Sequence, residues 1–233
     1  MTDTSTIIAE LAALGGEEKA RHLARFFKTG KGQYGEGDRF LGLPVPLTRG
    51  VARRHKDASL AAVEALLQSE WHEARLCALL IMAEKMKRAT AEDTGLIYKT
   101  YLANTSRINN WDLVDLSAPH IVGKHIMDKP RDILYELAAS PLLWDNRIAI
   151  VSTFAFIKAG DLDDTFRLAL LLTGHAHDLI HKAAGWMLRE AGKRDAARLR
   201  AFVHEHVRRM PRTMLRYAIE KFPEDERRAI LEM

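Results

Sequence analysis

The feature that most constrains this chain is a recurrence of about 35 residues. Four segments read alike when stacked: EARLCALLIMAEKMK (73–87), NRIAIVSTFAFIKAG (146–160), HKAAGWMLREAGKR (181–194) and MLRYAIEKF (214–222). Aligning Ala78, Ala149, Ala184 and Ala218 gives separations of 71, 35 and 34 residues. The first separation is two periods, so a further repeat is due near position 113. A helix pair of this length cannot bury its apolar face alone, and stacking copies of it builds an α-solenoid.

Outside these segments apolar residues also keep helical spacing, and no strand-like alternation persists. The pattern predicts helices over 4–13, 17–28, 46–55, 59–68, 72–87, 90–104, 111–122, 131–138, 144–159, 162–173, 177–192, 195–208 and 212–221, with a short one after Pro223. Residues 29–46, TGKGQYGEGDRFLGLPVP, are the exception, with five Gly and two Pro in a stretch too long for a plain connector. Loops of that kind often carry function. The expectation is an all-α protein of one domain over residues 1–233, and 47% hydrophobic residues suffice for a sizeable core.

The net charge of +4 is a mild excess, informative only where it clusters. Arg75, Arg147, Lys182 and Arg216 each stand just before a register alanine. Equivalent positions of a solenoid line one face, so these four predict a basic stripe. The one cysteine, Cys77, lies in an apolar helical run and reads as a buried structural thiol. A chain without disulfides fits a reducing compartment. The N-terminus lacks the basic start and apolar core of a signal peptide, and no apolar run approaches the roughly 20 residues that span a bilayer. A cytoplasmic protein that does not engage membranes is expected.

The repeat due near position 113 falls in NNWDLVD (109–115). Asn110 is a good N-cap, which places Trp111 and Asp112 in the first turn, where Asp112 complements the helix dipole. Asp115 follows Trp111 by four residues and shares its face. A Trp and a carboxylate on one face suit a small site; equally, a structural ion pair and a core Trp would produce the same spacing. Trp144 precedes Arg147, and Trp186 stands between Lys182 and Arg189. Aromatics interleaved with cations suit nucleic acid, with cations on phosphates and rings on sugars or bases.

Weaker signals point elsewhere. His177 and His181 have the i, i+4 spacing of a metal pair, but no Glu or Cys supports one; His177 is expected at a helix start. GKGQYGEGD lacks the ending of a phosphate loop. RRMPRTMLR (208–216), with Arg212 and Arg216, is a basic cluster leading into a helix.

Taken together the motifs resemble the AlkD-like DNA alkylation repair proteins, glycosylases built from HEAT-like repeats. The resemblance runs through FLGLPVPLTR (40–49), NNWDLVDLSAPHIVG (109–123), WDNRIAIVSTFAFIKAGD (144–161), HDLIHKAAGWMLREAGKRD (177–195) and MPRTMLRYAIEKF (210–222). It implies a right-handed superhelix with a concave basic cleft, and excision of cationic N3- or N7-alkylpurines from duplex DNA. It further implies Asp115, Trp111, Trp186 and Arg147 as catalytic groups. Arg189 is carried over as a DNA contact, and Lys182, Arg75, Arg212, Arg216 and Tyr34 are further candidates. A monomer without metal or cofactor is expected, nucleoid-associated when bound to DNA. A catalytically silent solenoid binding DNA or a protein partner is the alternative. The chain departs from the best-known branch by inserting GEGD (35–38) after Tyr34 and by its last helix start, both candidates to face DNA.

Overall fold

The computed structural model describes residues 4–233, which fall into two compact units, one ending at His125 and the other spanning Ile126–Met233. All regular elements among the described residues are helical. The first unit comprises α1 (Thr4–Leu14), α2 (Glu17–Phe26), α3 (Val45–Arg54), α4 (Leu60–Leu67), α5 (His72–Lys85), α6 (Ala91–Ala103) and the five-residue α7 (Trp111–Asp115). A single π-helical turn, Pro119–Gly123, follows. Its centre is α5, buried without interruption from His72 to Ala83. A helix covered all round has no polar stripe to display, which is why RLCALLIMA reads as continuously apolar after its first residue. On α5 pack α3, α4 and α7. Ser59 caps α4 by accepting from the Ala62 N–H, and Thr90 with Asp93 forms a capping box on α6.

The second unit comprises α8 (Asp132–Ala138), α9 (Leu143–Ser152), α10 (Phe154–Ala159), α11 (Asp163–Leu171), α12 (Asp178–Gly192), α13 (Ala196–His206), α14 (Arg212–Ala218) and α15 (Glu224–Glu232). The long α12 packs against both α9 and α14, while α11 and α13 also lie on it and α8 pairs with α9. This is the stacked helix-pair arrangement that the 35-residue recurrence predicts. The register alanines lie in the core of each unit: Ala149, Ala184 and Ala218 in the second and Ala78 in the first are at most 1% exposed, and Leu113, at the missing repeat, is fully buried in the first. Cys77 is buried as expected, and burial pushes its thiol up to about 12. No helix of the described residues is long and apolar enough to cross a membrane.

Two predicted helices are broken. The one expected over 111–122 stops at Asp115, because Pro119 has no N–H to donate and its ring clashes with the carbonyl four residues back. The one expected over 144–159 divides at Thr153. There the hydroxyls of Ser152 and Thr153 bond back to the carbonyls of Ile148 (2.6 Å) and Ile150 (2.7 Å), competing with the helical ladder.

Gly185 sets the approach of α12 and α14: a Cβ there would lie 2.5 Å from the Met214 carbonyl oxygen and 2.6 Å from the Tyr217 Cβ. Backbone cannot yield as a flexible side-chain tip can. Gly185→Ala is therefore expected to destabilise the protein by about 1–3 kcal/mol, the usual cost of overpacking. In urea titration the midpoint should fall with an unchanged slope; an unaltered midpoint would contradict the packing described.

Candidate functional site

In the first unit the side chains of interest converge on a cavity of about 420 Å³. Its walls come from the last residue of α2 (Phe26) and its C-cap (Phe27), the 29–46 loop (Phe40), α5 (His72) and α7 (Trp111, Asp115). Trp111 is half-buried and stacks on Phe27, centroids 5.1 Å apart and planes at 23°, while Phe26 meets it edge-on at 6.0 Å. Asp115, also half-buried, faces the same cavity, as a four-residue spacing on one helix dictates. Trp111 and Asp115 thus share a face, and that face borders an aromatic chamber.

A helix of five residues has little stability of its own, so α7 must be placed by its surroundings. The Asn110 side chain accepts from the Trp111 N–H (2.9 Å), as its N-cap role requires. Asp112 accepts from the Leu113 N–H (2.9 Å) through one carboxylate oxygen and meets His72 Nε2 (2.9 Å) through the other. The Nδ1 of His72 lies 3.1 Å from Asp38. Asp38 in turn accepts from Arg75 (2.6 Å), Asn109 (3.0 Å) and Asn110 (3.3 Å). All of these except Asn109 are buried, His72 and Arg75 at 2% exposure. Burial opposes charge on His72, but Asp112 and Asp38 outweigh it and raise its pKa from 6.5 to about 9. Burial likewise opposes ionisation of Asp38, yet His72, Arg75 and Asn109 hold its carboxyl below the ordinary value.

The 29–46 loop is tied down by the next residue of α5. The Glu73 carboxylate accepts the backbone N–H groups of Leu41 (2.9 Å), Gly42 (2.8 Å) and Leu43 (3.1 Å). Gly42 is obligatory here: its φ is +90°, and a Cβ would lie 2.2 Å from the Gly16 carbonyl oxygen. Ordered in this way, the loop aims Phe40 at the cavity, where it stacks on Phe27 (5.2 Å) and His72 (4.5 Å).

Two expectations are corrected by these contacts. Arg75 is not part of an exposed stripe: it is buried, with its guanidinium on Asp38 and on the carbonyls of Ser69 (2.9 Å) and Glu70 (3.2 Å). It precedes its register alanine by three residues rather than two, but that offset does not decide its burial, because Arg147, at the common offset, is 5% exposed. The inserted GEGD segment does not simply face outward either, because Asp38 points inward as the hub of the network. Tyr34, just before it, is half-buried.

The second unit holds the remaining candidates. Arg147, on α9, is 5% exposed and donates to the Leu179 carbonyl oxygen (2.6 Å) at the start of α12. His177 caps α12, its ring accepting the Leu179 N–H (3.1 Å). Burial, together with neighbouring histidines, lowers the pKa values of His175 and His177. Trp186 is half-buried, 5.8 Å from Phe154. Lys182 pairs with Asp178 (2.8 Å), and Arg189 pairs with Glu220 and Glu190. Arg212 and Arg216 are exposed, Arg212 donating to the Leu231 carbonyl oxygen (2.7 Å). Of the four stripe positions, then, two are buried, Lys182 is half-buried and Arg216 is open to solvent.

Phe26, Phe27, Phe40, His72 and Asp38 were not singled out by sequence reasoning as parts of a site. The one trace of them was the motif FLGLPVP and the density of glycine around GEGD.

The sequence model of a family described as DNA alkylation repair enzyme matches residues 7–222. None of the curated proteins matches the chain. Among solved structures the fold is similar to that of a predicted DNA alkylation repair enzyme from Enterococcus faecalis, with a TM-score of 0.73 at 17% identity, covering 90% of this chain and 97% of that one. At that identity the likeness is one of fold, whereas the family match spans nearly the whole sequence. The chain belongs to the DNA alkylation repair enzyme family.

Proposed function

We propose that the protein is a monofunctional DNA glycosylase that releases cationic N3- or N7-alkylated purines from duplex DNA, acting as a monomer without metal or cofactor. The observation that carries this reading is the pairing of Trp111 and Asp115 on one face of α7, both bordering the aromatic cavity.

An alkylated purine already carries positive charge and leaves as a neutral base, taking the electron pair of the N-glycosidic bond. Oxocarbenium character then builds on the deoxyribose. The Asp115 carboxylate stabilises that cation and directs water to the anomeric carbon, the part carboxylates play in glycoside hydrolysis. The electron-rich face of Trp111 favours positive charge beside it. In the second unit Trp186 is assigned to sugar contact and Arg147 to a lesion-strand phosphate. Arg189, Lys182, Arg212 and Arg216 are assigned to the DNA backbone.

With duplex DNA containing 7-methylguanine, free base should appear faster than by spontaneous loss. No release above that rate, together with tight salt-dependent binding, would sink the enzyme reading and leave a silent DNA-binding solenoid. Asp115→Asn should lower single-turnover release by about a hundredfold or more while duplex affinity persists, as expected when transition-state charge loses its partner. Equal loss of release and affinity would make Asp115 structural instead. Arg212→Ala and Arg216→Ala should each weaken binding without sequence preference and flatten its salt dependence by about one unit of slope.

A further inference from the structure

Five residues of helix ending before a proline cannot aim two side chains unaided. What holds α7 is the set of contacts at its first turn, and these lead to one ring. His72 has a carboxylate at each nitrogen, Asp112 at Nε2 (2.9 Å) and Asp38 at Nδ1 (3.1 Å). A neutral imidazole carries a single N–H and can satisfy only one of them; the imidazolium donates to both. The ring also lies under Phe40 (4.5 Å) and against Phe27 (5.0 Å), and Phe27 is the residue on which Trp111 stacks. His72 is therefore joined to α7 twice, through Asp112 and through the Phe27–Trp111 stack.

We propose that His72 is a positioning residue for glycosidic-bond cleavage, its imidazolium clamped between Asp38 and Asp112 so that α7 presents Trp111 and Asp115 to the cavity. This rests on the reading of Trp111 and Asp115 as catalytic groups. His72 itself lines the cavity at its base and transfers no proton in the reaction.

The charges around the ring make the clamp sensitive to its protonation. Asp38 comes from the 29–46 loop, Asp112 from α7, and Arg75 and Glu73 from α5 itself; Asp115 and Lys19 border the same cavity. Glu73 is engaged by three backbone N–H groups. With His72 charged, Asp38 and Asp112 face two cations. Without that proton they face Arg75 alone, in a buried setting where an unmatched charge is costly. The folded-state pKa, raised to about 9, lies above the ordinary 6.5. The stabilisation is thus fully present below about 6.5 and is lost as pH rises through about 9.

The decisive measurement is histidine ¹⁵N NMR on the full-length protein, read together with the Trp111 indole resonance. Both His72 nitrogens should be protonated at about pH 7, and the Trp111 indole should move with the same alkaline midpoint. Asp38→Asn should bring both midpoints down together. In base release, His72→Gln should lower kcat by about tenfold to a hundredfold with duplex affinity little changed, as a misplaced catalytic group does. Asp38→Asn, the gentler change, should move the alkaline limb of kcat to lower pH. If His72 is neutral near pH 7, or the Trp111 indole ignores its titration, the proposal is overturned. A His72→Gln protein with normal kcat and pH profile overturns it as well. Should the unaltered protein release no base, the function assigned to the site fails, and the two NMR midpoints still decide whether His72 positions α7.

Discussion

The first turn of α5 is the point on which the first unit depends. Three consecutive needs meet there: His72 holds α7, Glu73 holds the 29–46 loop, and Arg75 neutralises Asp38 between them. Each is a charged or polar group buried at 2% exposure, a placement that is tolerable only because each has its partners. Breaking one partner leaves another charge stranded, so the cluster behaves as a unit rather than as a sum of pairs. The cavity is the visible product, with walls from α2, the loop and α7.

The second unit is built on different terms. Its central α12 is packed by contact of small residues, with Gly185 against α14 and Ala184 fully buried. The polar groups gather at the helix start, where Arg147 donates to Leu179 and His177 caps the first turn. Ion pairs such as Lys182 with Asp178 lie nearer the surface, where such pairs contribute little to stability and can be exchanged for a phosphate partner.

Much of this was legible in the sequence because a period is a statement about burial. The recurrence that aligned Ala78, Ala149, Ala184 and Ala218 marks positions that must be small and inward, and each is buried in the core of its unit. Asn110, Trp111 and Asp115 were legible for a similar reason, since capping and four-residue spacing are local rules. The failures share a cause too. Whether Arg75 points to solvent depends on Asp38, some 37 residues earlier, and no local rule contains that partner. Phe27, Phe40 and His72 come from separate segments, so their stack exists only once the loop folds back on α5. The stops at Asp115 and Thr153 needed attention to Pro119 and to back-bonding hydroxyls rather than to hydrophobic spacing.

The 29–46 loop has a consequence for how this chamber can vary. Its fixed points are backbone N–H groups held by Glu73, one glycine pressed against Gly16, and the Asp38 carboxylate held by Arg75 and His72. These anchors fix the identity of Gly42 and of Asp38 and leave Phe40 outside the anchoring. A loop residue such as Phe40 can therefore change independently of the anchoring. Its ring stacks on Phe27 and His72, so its identity sets the wall, while the backbone N–H groups beside it hold the loop. The chamber can be widened, narrowed or recharged by single substitutions while the helices beneath it keep their packing, which makes this loop the natural place for related chains to diverge in what they admit.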